Sequence, residues 1–318
     1  MAGNIPVPIE SRFIQNVNNP NDYLTFSGDL DVLVQQALER IIAETPPLAA
    51  YSPAQCRGLF RGPTSLAYLF LKLGVKYPSM RIQDQSSGHW AQLYMDAERT
   101  GGDSAPCGLA CESAGYWAVK TMMDGANASR FCEEMDRLAN EEDHPHELLF
   151  GYAGLLYIIR AVESWRPEAA RSLTTIKARM MEKVLGAGPG WVWRGKRYIG
   201  AVHGDIGILT QILLTDPKLA GNSMAVASLD RLLSLQREDG NWTTKDDDDI
   251  RYEGLVQDHF LAWSLPAKLT EEREADETTF PDEDAGKMST WFNYWPGAAW
   301  AWSEYQSEIP GIILYTDV

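Results

Sequence analysis

The sequence contains few cysteines, few basic residues and no long apolar run. Its 318 residues include four cysteines, too few for a disulfide framework in a chain of this length. Basic residues number 28 against 44 acidic ones, a formal net charge of −16. This charge disfavours binding to nucleic acids and to anionic membranes, because both require a basic protein surface. No run of about 18 apolar residues is present, as a membrane-spanning helix would need.

The first residues of the chain also lack the basic region and the apolar region of a secretory signal. We therefore expect a cytoplasmic protein with reduced thiols that binds neither nucleic acid nor membrane. Apolar and aromatic residues, in contrast, are abundant: 45% of the chain is hydrophobic, with 11 Trp and 13 Tyr. This composition excludes a disordered acidic chain and predicts a packed globular protein.

Apolar residues recur at intervals of three and four in several segments, which is the spacing of one face of an α-helix. Ser27 or Asp29 is placed to cap the first of these helices. No comparable set of segments alternates apolar and polar residues, so we predict an all-α fold. The clearest helical stripes are Leu30, Leu33, Val34, Ala37, Leu38 and Ile41; Leu155, Ile158, Ile159 and Val162; and Val226, Leu229, Leu232 and Leu233.

A short glycine-containing turn followed by an apolar helix recurs along the chain. The first four copies lie roughly 43 to 53 residues apart, an interval typical of helical-hairpin repeats. Two glycines three residues apart at a helix start allow two backbones to approach closely. The copies are Phe60 to Tyr68, Cys107 to Gly115, Leu149 to Tyr157, Val202 to Leu209 and Tyr294 to Trp300.

Segments 126–140 and 167–185 lie between these copies and are suited to be the second helix of each hairpin. Antiparallel pairs arranged around a centre predict one α/α-barrel domain that covers residues 1–318. Two acidic intervals, 243–254 and 270–288, are predicted to be solvated loops, and the first contains the run Asp246 to Asp249.

Several of these motifs resemble the LanC-like (lanthionine synthetase C-like) family, especially its fungal members. The most specific matches are the Leu-Leu-Phe-Gly-Tyr-Ala-Gly and Ala-Val-His-Gly elements. The matching stretches are Gly62 to Tyr68, Glu147 to Gly154, Trp193 to Gly204, Gly240 to Trp242, Ala299 to Trp302, Pro310-Gly311 and Thr316 to Val318.

The resemblance implies an α/α toroid of seven inner and seven outer helices, with the active site where the inner helices begin. The family adds a cysteine thiol to a dehydroamino acid with the help of zinc, which is held by cysteines and a histidine. This chain has Thr243 after the Gly-Asn-Trp element and Asp258 to Leu261 in place of Trp-Cys-His-Gly. Since thiolates are the principal ligands of such a site, we expect no zinc and no other cofactor.

The stretch from Phe260 to Trp291 is too short for the sixth hairpin of the family. The C-terminal part of the toroid is therefore predicted to be incomplete or rearranged: either the ring is open at this edge, or other helices shift to close it.

His203 and Glu147 are the predicted catalytic residues. By its motif position, His203 corresponds to the histidine that lies beside the reacting groups in the family, and an imidazole transfers protons readily near neutral pH. Glu147 lies four residues before Gly151, where the family carries an acidic residue at the cavity, and it could orient His203 or act as its partner. The structural alternatives are a histidine that hydrogen-bonds turn groups and a carboxylate that stabilises a helix N-terminus.

Five further residues are predicted to contact a substrate. Arg194, Lys196 and Arg197 form the only tight basic cluster and are suited to bind a carboxylate or phosphate, although such a cluster is also typical of a solvated loop. The other two are aromatic, Tyr152 in the third repeat copy and Trp295 in the last copy, where the aromatic residues either line a cavity or plug the core.

Cys107 and Cys111, at an i,i+4 spacing, are interpreted as small core residues and not as a metal site. The leading hypothesis is a zinc-independent LanC-like enzyme that catalyses an acid–base addition or cyclisation on a small molecule or peptide in the central cavity. A non-catalytic LanC-like scaffold is the main alternative. A magnesium-dependent cyclase that uses the Asp246 to Asp249 run is the second.

Overall fold

The computed structural model describes residues 29–103, 105–141, 144–236, 242–243, 252–253, 294–305, 307 and 311–318. Within these residues the chain forms ten α-helices. They are α1 (Leu30–Glu44), α2 (Pro63–Lys76), α3 (Ser87–Asp96), α4 (Glu112–Met123), α5 (Ala128–Asn140), α6 (Tyr152–Trp165), α7 (Ala170–Gly186), α8 (Asp205–Thr215), α9 (Ser223–Ser234) and α10 (Tyr294–Glu304). None of the described helices is long and apolar enough to cross a bilayer.

Strands contribute little to the described residues. Each of the three ladders pairs two residues with two, in parallel for β1–β4 and antiparallel for β2–β3 and β5–β6. The strands are β1 (Ala50–Tyr51), β2 (Arg81–Ile82), β3 (Gln85–Ser86), β4 (Glu98–Arg99), β5 (Trp242–Thr243) and β6 (Tyr252–Glu253). The structure is thus mostly helical, as predicted. In the first acidic interval, Thr243 pairs with Tyr252 in the β5–β6 ladder. The Asp246 to Asp249 run and the whole of 270–288 lie outside the described residues.

The helices follow the predicted segments closely. Helix α1 begins after Asp29, whose Oδ1 accepts hydrogen bonds from the Asp31 and Val32 N–H groups at 3.0 and 3.4 Å. The two segments predicted as second helices form α5 and α7, each preceded by a turn of 3₁₀-helix.

Helix α9 forms where its apolar spacing predicts it, but most of the apolar stripe faces away from the core. The side chains of Val226, Leu229 and Leu233 are 42%, 49% and 54% exposed, and the buried residues are Ala225, Ser228 and Leu232. Helix α9 therefore packs against α8 through a face with two small residues.

The helices form two layers. Helices α2, α4, α6 and α8 pack against one another in chain order, and α3, α5, α7 and α9 each pack on the one that precedes it. The difference in burial agrees with this: α6 is buried from Tyr152 to Val162, whereas α5 buries a single stripe of Phe131, Met135, Leu138 and Ala139. Helix α10 packs on both α1 and α2, so the first and last described helices are neighbours.

Backbone hydrogen bonds join the turns that precede the inner helices. The Leu59 N–H donates to Leu109 O at 2.9 Å, the Leu109 N–H to Leu148 O at 3.2 Å, and the Leu148 N–H to Val202 O at 3.0 Å. The starts of α2, α4, α6 and α8 therefore lie at the same end of the helix layer, where the chemistry-bearing residues are predicted.

Two repeat glycines are required by this close packing of turns. A Cβ atom at Gly154 would overlap the Leu148 carbonyl oxygen, and one at Gly207 would overlap the Ala201 carbonyl oxygen. The expected close approach of two backbones at these positions is thus observed.

Residues 311–318 lie between three inner helices. The Asp317 carboxylate forms an ion pair with Lys72 of α2 at 2.9 Å and accepts a hydrogen bond from the Tyr157 hydroxyl of α6 at 2.9 Å. The Tyr315 hydroxyl donates to Thr210 Oγ1 of α8 at 2.8 Å. This segment connects the first repeat with the fourth through side chains that are mostly buried.

Candidate active site

His203 and Glu147 lie in two neighbouring turns and contact each other directly. Glu147 precedes α6 and His203 precedes α8, and the Leu148 N–H to Val202 O hydrogen bond holds the two turns together. The His203 Nδ1 atom lies 2.7 Å from Glu147 Oε2. Fifty-six positions apart in the chain, the two predicted catalytic residues form a hydrogen-bonded pair.

The Glu147 carboxylate is fixed by the backbone of its own turn. It is 1% exposed, its Oε2 accepts from the Leu149 N–H at 2.9 Å, and its Oε1 accepts from the Phe150 N–H. In a neutral imidazole, one nitrogen is a donor and the other an acceptor. Because Nδ1 faces a carboxylate, the proton of neutral His203 is placed on Nδ1 and the lone pair on Nε2.

An aromatic cluster surrounds the imidazole. The Trp193 and His203 rings are stacked with centroids 3.8 Å apart and planes at 4°, and the Phe150 ring is nearly parallel to both at 6.2 Å. Tyr198 meets the His203 ring edge-on at 5.9 Å. The His203 side chain is 24% exposed, so it is oriented by its neighbours but remains accessible. These aromatic residues lie in the same motifs as the dyad, which is the signal that could have identified them.

Arg194 lies beside this cluster because of a tight turn. Trp193 and Lys196 exchange backbone hydrogen bonds of 2.9 and 3.0 Å, and Arg194 and Gly195 have φ angles of 49° and 74°. Two residues with positive φ are characteristic of a type I′ turn, an uncommon conformation for arginine. The Arg194 guanidinium lies 4.7 Å from the centroid of the Trp193 ring. Arg194 and Lys196 are both exposed.

Arg197, the third residue of the basic cluster, is directed to a different partner. Its guanidinium lies 4.0 Å from Asp205 Oδ2, which is also 2.7 Å from Arg231. Asp205 is fully buried at the start of α8, so two arginines compensate one buried carboxylate. The sequence analysis did not single out Asp205, although an acidic residue at a helix N-terminus is a recognisable signal.

Tyr152 and Trp295 are not placed in the cluster around His203. The buried Tyr152 hydroxyl donates to Glu141 O at 2.7 Å and accepts from Lys183 Nζ at 2.9 Å. Trp295, on α10, donates from Nε1 to Glu44 at 2.8 Å and borders an open cavity of about 370 Å³ against α1. The structure therefore brings His203, Glu147 and Arg194 together and assigns other contacts to Tyr152, Trp295 and Arg197.

One group of possible metal ligands is present in the described residues, and it includes neither His203 nor Glu147. Ligand atoms of Asp103, Cys111 and Glu134 lie within 4.8 Å of one another. Burial and the Asp103 charge raise the pKa of the Cys111 thiol to about 12, and Arg137 forms an ion pair with Glu134. The Ser113 hydroxyl donates to Glu134, and its N–H donates to Asp103.

The two carboxylates of this group therefore anchor the first turn of α4 through Ser113, and the raised pKa keeps the Cys111 thiol protonated at neutral pH. Cys107 and Cys111 are both buried, as their interpretation as core residues requires. The positions that correspond to the family's zinc ligands lie outside the described residues, except Thr243 of β5.

Comparison of the chain with protein-family models and with curated proteins finds no match in either.

Proposed function

We propose that this protein is a zinc-independent enzyme of the LanC-like type that catalyses an acid–base addition or cyclisation. The observation that carries the proposal is the 2.7 Å contact between His203 Nδ1 and the buried, backbone-anchored Glu147 carboxylate. A carboxylate that orients a histidine through Nδ1 is the arrangement that makes Nε2 a directed general base.

In this mechanism, Nε2 of His203 removes the proton from a nucleophilic O–H, N–H or S–H group as that group attacks an activated carbon. Glu147 stabilises the imidazolium that forms. The same imidazolium then returns the proton to the adjacent carbon of the adduct, which restores the neutral base. Trp193, Phe150 and Tyr198 hold the imidazole in place throughout.

The substrate in this proposal is a small molecule or peptide that carries an acidic group. Arg194 and Lys196 are exposed cations at the edge of the aromatic cluster, and an arginine stacked on an indole presents its fork to a carboxylate or phosphate.

The fold in this proposal is an α/α toroid with a reduced number of hairpins. In its support, α2, α4, α6 and α8 are successive neighbours, each with an outer partner, and α10 pairs with α1 and contacts α2. The described residues contain four such consecutive pairs, together with the pair of α10 and α1, where the family resemblance implies seven hairpins. The segment 311–318 contributes to closure, because it joins α2, α6 and α8.

The alternative, a non-catalytic scaffold with the same fold, is favoured by a different observation. Side chains of residues 311–318 fill space between inner helices, and His203 is stacked on Trp193 as a structural histidine would be. The magnesium-dependent cyclase stays a prediction, since its Asp246 to Asp249 run lies outside the described residues.

The experiment measures addition of glutathione to an N-acyl dehydroalanine amide, the reaction class that the resemblance implies, with EDTA present. We expect wild-type turnover to persist in EDTA and His203→Ala to lose about 10²- to 10⁴-fold in kcat/KM, the usual contribution of a general base. Glu147→Gln, which keeps the shape but removes the charge, should lose less.

His89→Ala is the matched control, because His89 is exposed on α3 and its one ring contact within the described residues is with its neighbour Trp90. Equal turnover by wild type and His203→Ala would refute the mechanism. Absence of turnover together with a thermal shift on adding either substrate would favour the scaffold.

A further inference from the structure

The turn before α2 carries two arginines, Arg57 and Arg61, and neither guanidinium group forms an ion pair with a carboxylate of the described residues. Their backbones form an isolated antiparallel bridge: the Arg57 N–H donates to Arg61 O at 3.1 Å, and the Arg61 N–H donates to Arg57 O at 3.2 Å. Residues directly opposite in such a pair project their side chains to the same face, and like charges there are destabilising.

The unfavourable electrostatics of this pair are visible in its surroundings. Partial burial and the neighbouring Arg57 charge lower the pKa of the Arg61 guanidinium from its usual range. Both side chains are half-buried, and both Nε atoms are buried without a hydrogen-bond partner. The hydrogen bond resolved for these two guanidinium groups is from Arg61 Nη2 to Ala54 O, at 2.9 Å.

Among the described residues, the absence of a carboxylate partner for this pair is notable in a protein with 44 acidic and 28 basic residues. Nearby cations are compensated: Arg99 forms an ion pair with the buried Glu112 at 3.1 Å. A buried donor without an acceptor is costly, so two such donors on adjacent like charges favour the binding of an acceptor group beside them.

The location of the pair also matters. The turn that carries it is hydrogen-bonded to the turn before α4 through the Leu59 N–H and Leu109 O. Through the same series of inter-turn hydrogen bonds it belongs to the end of the helix layer that holds Glu147 and His203. A group bound between the two arginines would therefore lie at the end where the candidate active site opens.

We infer that Arg57 and Arg61 form a binding site for an oxyanion group, a phosphate or a carboxylate. Guanidinium groups bind such oxygens through pairs of parallel N–H donors, and a shared anion would convert the repulsion between the two charges into attraction to a common partner. This inference concerns binding alone and does not depend on the acid–base proposal.

The test is the melting temperature in sodium phosphate or sodium acetate against sodium chloride at equal ionic strength and pH. We expect at least one of the two oxyanions to raise the melting temperature above its value in chloride. The apparent dissociation constant of that oxyanion should rise about tenfold or more in Arg57→Gln and in Arg61→Gln, the loss typical of a hydrogen bond to a charged group. The phosphate and acetate arms distinguish the two ligand chemistries.

A second readout separates this site from a merely structural pair. In chloride at low ionic strength, each glutamine variant should melt no lower than the wild type, because removing one charge relieves the repulsion. Arg61→Lys, which keeps the charge but not the fork, should bind with intermediate affinity. Arg130→Gln is the control, since Arg130 is exposed and paired with Glu133 on the same helix, and it should bind the oxyanion as the wild type does.

The inference is overturned if neither phosphate nor acetate stabilises the protein more than chloride does. It is also overturned if the oxyanion raises the melting temperature of Arg57→Gln and Arg61→Gln by as much as it raises that of Arg130→Gln. Should a glutamine variant fail to fold, as judged by far-UV circular dichroism, the comparison of Arg61→Lys with the wild type decides the question.

Discussion

The described residues form two hydrophobic clusters of very different size. The main cluster contains residues from each of the helices α1 through α7, from one face of α8, from α10 and from the segment 313–314. The second cluster has four buried members, Ile199, Leu209, Ala225 and Leu232. Helix α8 separates them, because Ile208 and Ile212 belong to the main cluster and Leu209 to the second.

The candidate dyad lies at the boundary between these clusters. Glu147 is in the turn before α6, next to Leu148 of the main cluster, and His203 lies four residues after Ile199 of the second. Regions with few buried apolar contacts open at lower free energy than a large core does. We therefore expect the turn that carries His203 to open at a lower free energy than the turn that carries Glu147.

The largest expected effect contrasts a leucine from each cluster. Leu155→Ala removes a fully buried side chain of the main cluster and should lower the free energy of unfolding by about 2–5 kcal/mol. Leu232→Ala, in the second cluster, should lower the free energy of unfolding by an amount at or below the lower end of that range, because its surroundings can collapse into the cavity more readily.

Denaturant unfolding measures both values, with Leu229→Ala on the exposed side of α9 as the reference. Equal losses in Leu155→Ala and Leu232→Ala would mean that the two clusters unfold as one unit.

A somewhat smaller effect is expected at the glycines where turns meet. Gly154→Ala and Gly207→Ala each place a methyl group against a backbone carbonyl, so we expect losses of about 1–3 kcal/mol, as for overpacked sites. Gly186→Ala, where no atom lies within 4 Å of the new methyl, should be stabilising by about 0.5–1 kcal/mol because glycine is unfavourable in a helix.

If the backbone around α8 shifts more easily to admit the methyl group, Gly207→Ala should lose less stability than Gly154→Ala. Thermal unfolding of the three variants gives the order. A Gly154→Ala protein as stable as Gly186→Ala would show that the turns are not closely packed.

The smallest effect concerns pH and the attachment of α10 to the main cluster. Burial opposes ionisation of Glu304, but hydrogen bonds from Lys76 and the Gly311 N–H outweigh it and lower the pKa of this carboxyl below 4.5. A pKa that is lower in the folded state adds stability above about pH 4.5, which is lost as the pH falls through the folded value.

The melting temperature of Glu304→Gln should therefore decline less than that of the wild type between about pH 5 and pH 3, the range in which such carboxylates titrate. Glu133→Gln, at an exposed carboxylate of α5, is the control. An unchanged decline in Glu304→Gln would show that α10 is not held to α2 by this ion pair.

Much of the helical structure was predictable, because a helix depends on residues close together in the chain. The capping carboxylate of Asp29 and the apolar spacing of α1 and α6 are local signals, and both helices form as expected. The same spacing in α9 predicted the helix, but not that Val226, Leu229 and Leu233 face away from the core. Which face is buried depends on the neighbouring helix, and that information is not local.

The candidate site was predictable in part. The motifs singled out His203 and Glu147, and the structure places them 2.7 Å apart. The different partners of Arg194 and Arg197, three positions apart in one cluster, were not predictable, because a type I′ turn directs Arg194 to Trp193 whereas Arg197 lies near the buried Asp205.

The sequence by itself determined the helices, the glycine turns and the residue types at each turn, since these follow from periodicity and backbone sterics over a few residues. The tertiary structure alone decided which turns meet. It brings together Glu147 and His203 across 56 positions and, in the part of the chain that the structure describes, gives Arg57 and Arg61 no carboxylate partner. Such contacts depend on how the inner helices pack and on which buried groups that packing can compensate.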